Sequence, residues 1–306
     1  MPGSTSASHR TGLYATALAF VMWGFFPLYW KLLVQVPAIQ IMAHRLVWCA
    51  VFVCGYLFAT RGLAWVRAFK GQHKLLRTLT LTGLMIALNW GLYIWAVNNG
   101  HVIESSLGYF ITPLVNVLMG VIVLKERLST GQKIAFSLAA AGVVWLTIGY
   151  GKLPWIALTL AFSFGGYGLL RKITAVDSIS GLAVESLILF PVMAALLIYW
   201  QLSGHGHLGH DGALTTTLLM LGGLVTAVPL ILFAIGAKRI PLATVGLLQY
   251  IGPTIQFLCG LLFFHEQFDG TRAAGFIIIW AGCAVYLAES LWRARMPSML
   301  AAVPGE

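Results

Sequence analysis

Charged side chains are scarce in this sequence. Only 9% of its 306 residues are Asp, Glu, Lys or Arg, whereas about 25% is usual for a soluble domain. Nineteen basic and nine acidic groups are too few to cover the surface of a soluble protein of this length. The shortage excludes a soluble enzyme and a disordered chain, and it predicts that lipid is the solvent for most of the outer surface.

Cysteines and enzyme motifs are scarce as well. The four cysteines, Cys49, Cys54, Cys259 and Cys283, lie inside apolar runs and form no Cys-x-x-Cys pair. We interpret them as packing residues, with no disulfide or metal implied. The phosphate-binding pattern GxxxxGK[ST] and the GxSxG elbow are absent, and Asp269 stands where a HExxH zinc motif would need its second histidine. We therefore expect no enzyme, no ATP-driven pump, no cofactor and no metal.

Long apolar runs, in contrast, fill the chain, and apolar residues make up 59% of it. A membrane-spanning helix needs about 20 predominantly apolar residues. The first such run is too long for a signal peptide, so we expect it to remain as a helix. The sequence predicts an all-α membrane protein with ten transmembrane helices: Leu13–Leu33, Ala38–Thr60, Thr78–Asn98, Val102–Leu124, Gly131–Gly149, Leu153–Leu170, Ser180–Leu202, Thr215–Gly236, Pro241–Phe264 and Thr271–Trp292.

Positive charge is distributed unevenly between the two sides that ten spans create. With the N-terminus in the cytoplasm, fifteen Lys and Arg lie in cytoplasmic segments and three lie opposite, namely Lys31, Lys152 and Arg272. Cytoplasmic loops of membrane proteins carry such an excess. We therefore predict that both termini, including the tail 296–306, are cytoplasmic. The net charge of +10 then follows from topology and implies no nucleic-acid partner.

The second half of the chain repeats the first at a shift of 140 residues. Gly83–Leu146 overlays Gly223–Tyr286 without a gap, and the informative matches are Pro113 with Pro253, Gly120 with Gly260 and Glu126 with Glu266. Each unit holds five spans, an odd number, so the second unit must enter the membrane upside down. We predict two inverted five-helix repeats, residues 1–150 and 151–295. Inverted repeats are typical of secondary transporters, whose substrate site lies near the midplane.

Five strings of residues carry a resemblance to a known family: WGFFPLYWK at 23–31, AHRLVW at 43–48, NWGLYIWAVN at 89–98, ESSLGYFI at 104–111 and KERL at 125–128. With them the chain resembles the EamA-type branch of the drug/metabolite transporter superfamily, and within it the RarD proteins, over about residues 12–292. The resemblance implies ten helices, a bacterial inner-membrane location and export of small molecules. It does not specify the substrate.

Ionisable residues inside spans cost about 2.5–3.5 kcal/mol each on insertion scales, so we expect each to have a role. Arg45 in the second span and Glu104 in the fourth lie at similar depth from the same side, with His44 beside Arg45. We predict an Arg45–Glu104 ion pair. Such a pair can fix helix packing only, or it can act as a gate or as an anchor for a charged substrate group.

Glu185 lies early in the seventh span and is the counterpart of His44 at a shift of 141. A carboxylate at membrane depth can carry a proton and couple its return to substrate export. Alternatively, it is bonded to neighbouring Ser or backbone groups and has a structural role only. Proton coupling is therefore one of two interpretations of this residue.

Polar side chains are spaced so that they share one face of the fourth helix, and their repeat counterparts lie on the ninth. The two sets are Ser105, Tyr109, Thr112 and Asn116, and Val245, Gln249, Gly252 and Gln256. Pro113 and Pro253 should bend both helices at these faces. We favour a water-lined cavity, which would satisfy the freed carbonyls. The alternative is hydrogen bonding in a packed bundle.

Aromatic residues accompany these polar faces. Asn89, Trp90 and Tyr93 lie together on the third helix, and with Trp23, Tyr167 and Tyr250 they would suit a pocket for an amphipathic or cationic ligand. The loop Ser203–Gly212 contains three histidines and an aspartate. It could bind a metal, although we favour a mobile, solvated loop.

Together these patterns favour an inner-membrane secondary transporter that exports a small metabolite or drug-like molecule by alternating access. An importer of a small organic solute on the same fold is the first alternative. A membrane-embedded lipid-modifying enzyme is the second. Carboxylates or histidines paired in one cavity would favour the enzyme, whereas the sequence contains only scattered ones.

Overall fold

The computed structural model describes residues 3–125, 128–174, 176–237, 239–240, 245 and 248–300. These residues are helical, with turns between the helices and no strand among them. The helices are α1 Gly3–Gly24, α2 Phe26–Lys31, α3 Ala38–Arg61, α4 Ala64–Arg67, α5 His73–Asn98, α6 Val102–Leu124, α7 Thr130–Tyr150, α8 Trp155–Ile173, α9 Ser178–Leu202, α10 Gly212–Ala237, α11 Ile251–Leu262 and α12 Gly270–Leu300.

Eight helical segments in the described residues are long and apolar enough to cross a membrane. The other two predicted spans correspond to α8, with 19 residues, and to the apolar helix α11, with 12. The prediction of an all-α membrane protein is therefore confirmed.

The residues at the helix ends explain where several helices begin and stop. α3 ends at Gly62 and α7 ends at Gly151, both with positive φ, which glycine adopts without strain. At the start of α7, the Ser129 hydroxyl accepts from the Gln132 N–H while the Gln132 side chain bonds the Ser129 N–H. At the start of α9, the Asp177 carboxylate accepts from the Ser180 N–H at 3.0 Å.

The first predicted span is interrupted in its C-terminal half. α1 ends at Gly24, and α2 begins at Phe26 with Pro27 in its first turn. A proline has no N–H for an intrahelical bond, but it fits the first turn of a new helix. The interruption places Trp30 in the core, where it is fully buried.

Contacts between helices follow a symmetrical pattern. The α1–α10 contact corresponds to α5–α8, α6–α8 corresponds to α1–α11, and α3–α10 corresponds to α5–α9, and each of these contacts runs between the two units. The remaining main pairs, α3–α9, α6–α11 and α7–α12, join counterpart helices. This pattern is the one that two inverted five-helix units produce when they pack against each other. The unit boundary at residues 150 and 151 stays a prediction.

Candidate functional site

A buried arginine lies near the middle of the helix bundle. Arg45 on α3 is 3% exposed, and its Nε donates to Oγ1 of Thr226 on α10 at 2.7 Å. The guanidinium carbon lies 4.0 Å from the centroid of the Trp90 ring, 5.2 Å from that of Trp30 and 5.6 Å from that of Phe26. Nη1 is buried without a hydrogen-bond partner among the described residues. Ring faces and one hydroxyl therefore surround the guanidinium.

The predicted Arg45–Glu104 ion pair is wrong. Glu104 instead accepts from the N–H of Ile156, at 3.1 Å, in the first turn of α8. Free N–H groups and the positive end of the helix dipole make such a terminus a good partner for a carboxylate. Glu104 and Tyr109, which lies beside Arg45, are five residues apart on α6 and so point about 140° away from each other. Similar depth in the membrane was not sufficient to bring the two charges together.

A second carboxylate has a comparable structural role. Glu266 accepts hydrogen bonds from the N–H groups of Val102 and Ile103 at the start of α6, the latter at 2.9 Å. Burial raises the pKa of Glu266 above its usual value, although the two N–H groups act in the opposite direction. Glu104 and Glu266 line one cavity of about 170 Å³. Both carboxylates of this cavity thus bond the N-terminus of a helix.

Asn89 connects three helices beside Arg45. It accepts from the Tyr109 hydroxyl at 3.1 Å, and its Nδ2 donates to the Leu160 carbonyl and to the Ser163 hydroxyl, each at 2.9 Å. The Tyr93 ring lies edge-on to Tyr109, with centroids 5.7 Å apart. The Tyr93 hydroxyl is buried without a partner among the described residues. The three predicted residues Asn89, Tyr93 and Tyr109 thus belong to one cluster with Arg45 and Trp90.

Glu185 forms the centre of a second polar cluster. It is 1% exposed and accepts from the hydroxyls of Thr82, at 2.7 Å, and Tyr167, at 3.3 Å. Nη1 of Arg171 lies 3.7 Å from its Oε1. These contacts join α5, α8 and α9. They fit the structural interpretation of Glu185, and they do not test the proton-carrying one.

The Glu185 cluster continues to the end of the bundle where most Lys and Arg are found, which we call the basic end. Arg171 lies against Gly181, where any side chain would collide with its guanidinium. Arg61 on α3 pairs with Asp177 at 3.1 Å and donates to the Ser180 hydroxyl at 3.0 Å. Burial alone would raise the pKa of Asp177, but hydrogen bonds from Ser180 and the nearby Arg61 outweigh it and hold the pKa below its usual value.

The other predicted site residues lie in separate surroundings. Gln256 donates to the Trp23 carbonyl at 3.1 Å, whereas Tyr250 stacks on Phe110 with centroids 6.2 Å apart. His44 is buried, Gln249 is half-buried and Asn116 is exposed. The predicted aromatic pocket is thus divided, because only part of its members adjoin Arg45.

The predicted polar face of the fourth helix is also divided. Ser105 and Thr112 are buried and donate to carbonyls of their own helix, those of Val102 and Gly108. Among the hydrogen bonds between described residues, Tyr109 is the one member of the four that bonds another helix through its side chain, at Asn89. α6 is continuous across Pro113, so the bend and the water-lined cavity stay predictions.

The loop Ser203–Gly212, which contains the three histidines, is hydrogen-bonded to helices of the bundle. Gln40 on α3 donates to the His205 carbonyl at 2.8 Å, and Gln201 donates to the Leu208 carbonyl at 3.0 Å. His207 is hydrogen-bonded to Asp211. Among the described residues no three His, Cys, Asp or Glu side chains are grouped as a metal site would require.

Sequence reasoning missed three partners of the buried charges. Thr82 shares a helix face with Asn89 and Tyr93, so its spacing could have indicated it. Arg171 was attributed to topology alone, since it lies among the basic residues at a span end. Thr226 stands singly in an apolar run, and no sequence pattern distinguishes it from a packing residue.

Comparison with known proteins agrees with this architecture. The EamA-like transporter family matches the chain twice, at residues 10–148 and 153–288. "Uncharacterized transporter YojE" of Bacillus subtilis is 47% identical over 94% of this chain and 97% of its own. "Protein RarD" of Escherichia coli is 38% identical over 94% and 98%.

A solved structure described as "Crystal structure of protein" superposes with a TM-score of 0.57 over 93% of this chain and 98% of its own, at 19% identity. That likeness concerns the fold alone. The family match covers nearly the whole chain, and relatives above 30% identity cover it almost from end to end. The chain belongs to the EamA-like transporter family.

Proposed function

We propose that this protein is a secondary transporter of the bacterial inner membrane, which exports a small metabolite or drug-like molecule by alternating access and is driven by proton entry. The observation that carries the proposal is that Arg45 and its ring cluster lie between two sets of polar contacts, one at each end of the same bundle. Membership of a transporter family gives the coarse function. Direction, substrate and coupling are our inferences.

The two sets of contacts join different helices. At the basic end, Arg61 with Asp177 joins α3 to α9, and Arg171 with Glu185 joins α8 to α9. At the opposite end, the Tyr29 hydroxyl donates to the Leu218 carbonyl at 2.5 Å, and Gln35 donates to the Thr215 hydroxyl at 3.1 Å, so both contacts reach α10. In alternating access, one set breaks while the other persists, so that the site opens to one side at a time.

Glu185 supports proton coupling because it belongs to the contacts at the basic end and has an ionisable group. Protonation would remove its attraction to Arg171 and favour opening there. A structural hydrogen bond needs no ionisation, so the two interpretations predict different responses to pH.

Coupling is tested in proteoliposomes that contain a pH-sensitive dye. Carboxylate, cationic, zwitterionic and neutral solutes are loaded into the vesicles one at a time. Transport of a solute should be accompanied by a proton flux larger than the proton leak of protein-free vesicles. Glu185→Gln should bind and exchange that labelled solute but should not move protons. Glu104→Gln is the matched control, since it changes a carboxylate that bonds a helix terminus, and it should behave like wild type. Proton movement by Glu185→Gln at the wild-type rate would disprove the coupling role.

Orientation determines whether such flux is export or import. The 15-to-3 charge bias supports a cytoplasmic basic end. In a cysteine-free background, Ser203→Cys on the exposed opposite end should react with an impermeant thiol reagent in intact cells. Gln72→Cys, exposed at the basic end, should react only after the membrane is disrupted. The reverse labelling pattern would overturn the orientation, and uptake exceeding efflux would favour the importer.

A further inference from the structure

We propose that Arg45 binds a carboxylate group of the transported molecule, so that the substrates are small organic anions with an apolar or aromatic body. The inference rests on the proposed transport function and names its substrate class. It also replaces the cationic ligand that the aromatic residues suggested, because a cation would be repelled by Arg45.

The first step is that Arg45 has no counter-ion among the residues that the structure describes. In the described part of the chain, no carboxylate oxygen lies within 4.0 Å of its guanidinium. The three carboxylates inside the predicted spans have other partners. Glu104 bonds the start of α8, Glu185 has two hydroxyls and Arg171, and Glu289 accepts from the Ser129 hydroxyl. Buried charges in proteins are normally paired, so a positive group in these surroundings favours an anion supplied by a ligand.

The second step is the direction in which Arg45 can donate. Its Nε is used by Thr226 at 2.7 Å, and Trp90 covers one face of the guanidinium at 4.0 Å. A ring face stabilises the cation but leaves the N–H groups in the guanidinium plane available. Nη1 is the nitrogen that is buried and has no partner among the described residues. Carboxylates match this planar arrangement of donors.

The third step is a second donor in the same cluster. The Tyr93 hydroxyl is also buried without a described partner, in a residue that is 2% exposed. Tyr93 and Tyr109 are both within electrostatic range of Arg45. Tyr93 lies one turn along α5 from Trp90, which covers the guanidinium, so the two buried donors without described partners belong to one cluster. Together they suit the two oxygens of one carboxylate.

The surroundings specify the rest of the ligand. Trp90, Trp30 and Phe26 present ring faces around Arg45. Such walls provide apolar contact and little hydrogen bonding for the body of the molecule. A carboxylate with an apolar or aromatic body would pair with the charge of Arg45 and pack against the rings, whereas an inorganic anion would only pair with the charge.

The experiment is ligand-induced thermal stabilisation of the purified full-length protein at constant ionic strength. The probes are phenylacetate and hippurate, and the matched neutral probes are phenylacetamide and hippuramide. The carboxylates should raise the melting temperature and the amides should not. Sulfate, tested at the same concentration, should have no comparable effect. Equal stabilisation by amides or sulfate, or by none of the probes, would overturn the proposal.

Variants assign the effect to Arg45. Arg45→Gln should abolish stabilisation by the carboxylates, and Arg45→Lys should weaken their affinity at least tenfold, because the planar fork is lost. Arg67→Gln removes an exposed cation on α4 and should bind like wild type. If Arg45→Gln does not fold, Arg45→Lys and Tyr93→Phe decide the question. Carboxylate affinities equal to wild type in both of those variants would overturn the assignment.

The binding measurement separates this inference from the transport proposal. Carboxylate binding that depends on Arg45, without flux in proteoliposomes, would contradict transport and leave the subsite intact. Flux of cationic or neutral solutes alone would support a transporter and contradict the carboxylate subsite.

Discussion

Arg45 and Glu185 are both buried inside the bundle, yet their surroundings differ in kind. Glu185 has two hydroxyl donors and a cation nearby. Arg45 has one hydroxyl partner, three ring faces and a nitrogen without a described partner. At the shift of 141 that applies to these spans, Glu185 is the counterpart of His44, the neighbour of Arg45. The two repeats thus carry opposite charges at neighbouring positions, and among the described residues only the Glu185 site is completed with protein groups.

The difference indicates how symmetrical halves can acquire separate roles. A charge whose partners are all protein groups stabilises the closed arrangement in which those partners meet. A charge with incomplete partners costs free energy in the empty protein and gains it back when a ligand is bound. Glu185 accordingly suits a closing contact and Arg45 suits a ligand contact.

Replacing Arg171 and Arg45 by Met in separate variants should give the largest difference in stability between the two sites. Arg171→Met leaves Glu185 without its cation, and loss of a buried partner costs about 3–5 kcal/mol. We expect about 3 kcal/mol, because the Arg171 side chain is 12% exposed. Arg45→Met removes a charge that has no carboxylate partner, and Thr226 still donates to the Gly222 carbonyl. Its effect should stay within about 1 kcal/mol.

Reversible unfolding in mixed micelles measures both variants. Adding Glu185→Gln to Arg171→Met should restore most of the lost stability, which serves as the control for the pair. A larger loss for Arg45→Met than for Arg171→Met would contradict the contrast between the two sites.

The exposed pair at the basic end should contribute much less. Arg61 and Asp177 are 44% and 37% exposed in their side chains, and exposed pairs contribute about 0.2–1 kcal/mol. Because the pKa of Asp177 is lowered in the folded protein, its contribution is present above the unfolded pKa of about 3.9 and is lost as the pH falls through the folded value. The stability difference between wild type and Arg61→Gln should therefore shrink as the pH falls below about 4 and disappear below the lowered pKa of Asp177. A difference that persists at lower pH would show that the pair is not its source.

The smallest effect is expected between Arg45 and Glu104. Since Glu104 bonds the start of α8 and not Arg45, the stability changes of Arg45→Met and Glu104→Gln should add. Independent sites add within about 0.3–0.5 kcal/mol. A coupling above about 1 kcal/mol in this double-mutant cycle would restore the ion pair that the structure contradicts.

The spans were predictable because their length and apolarity are imposed by the bilayer and not by tertiary contacts. Val102–Leu124, for example, has the predicted bounds. The interruption at Phe25 was not predicted, although Pro27 could have indicated it. Pairing of charges was not predictable either, since Arg45 and Glu104 share a depth but not a face. The depth of a residue follows from its position in a span. The direction in which its side chain points depends on how each helix is rotated against its neighbours.

The incomplete partnering of Arg45 has an electrical consequence. A charge moved across the whole membrane changes its energy by about 2.3 kcal/mol per 100 mV. When the empty protein reorients, Arg45 becomes accessible from the other side of the membrane. Its charge therefore crosses part of the transmembrane field. A bound carboxylate cancels that charge. The membrane potential should therefore act on the return of the empty protein and leave the loaded step nearly unaffected, so net transport should depend on voltage while exchange of one anion for another should not.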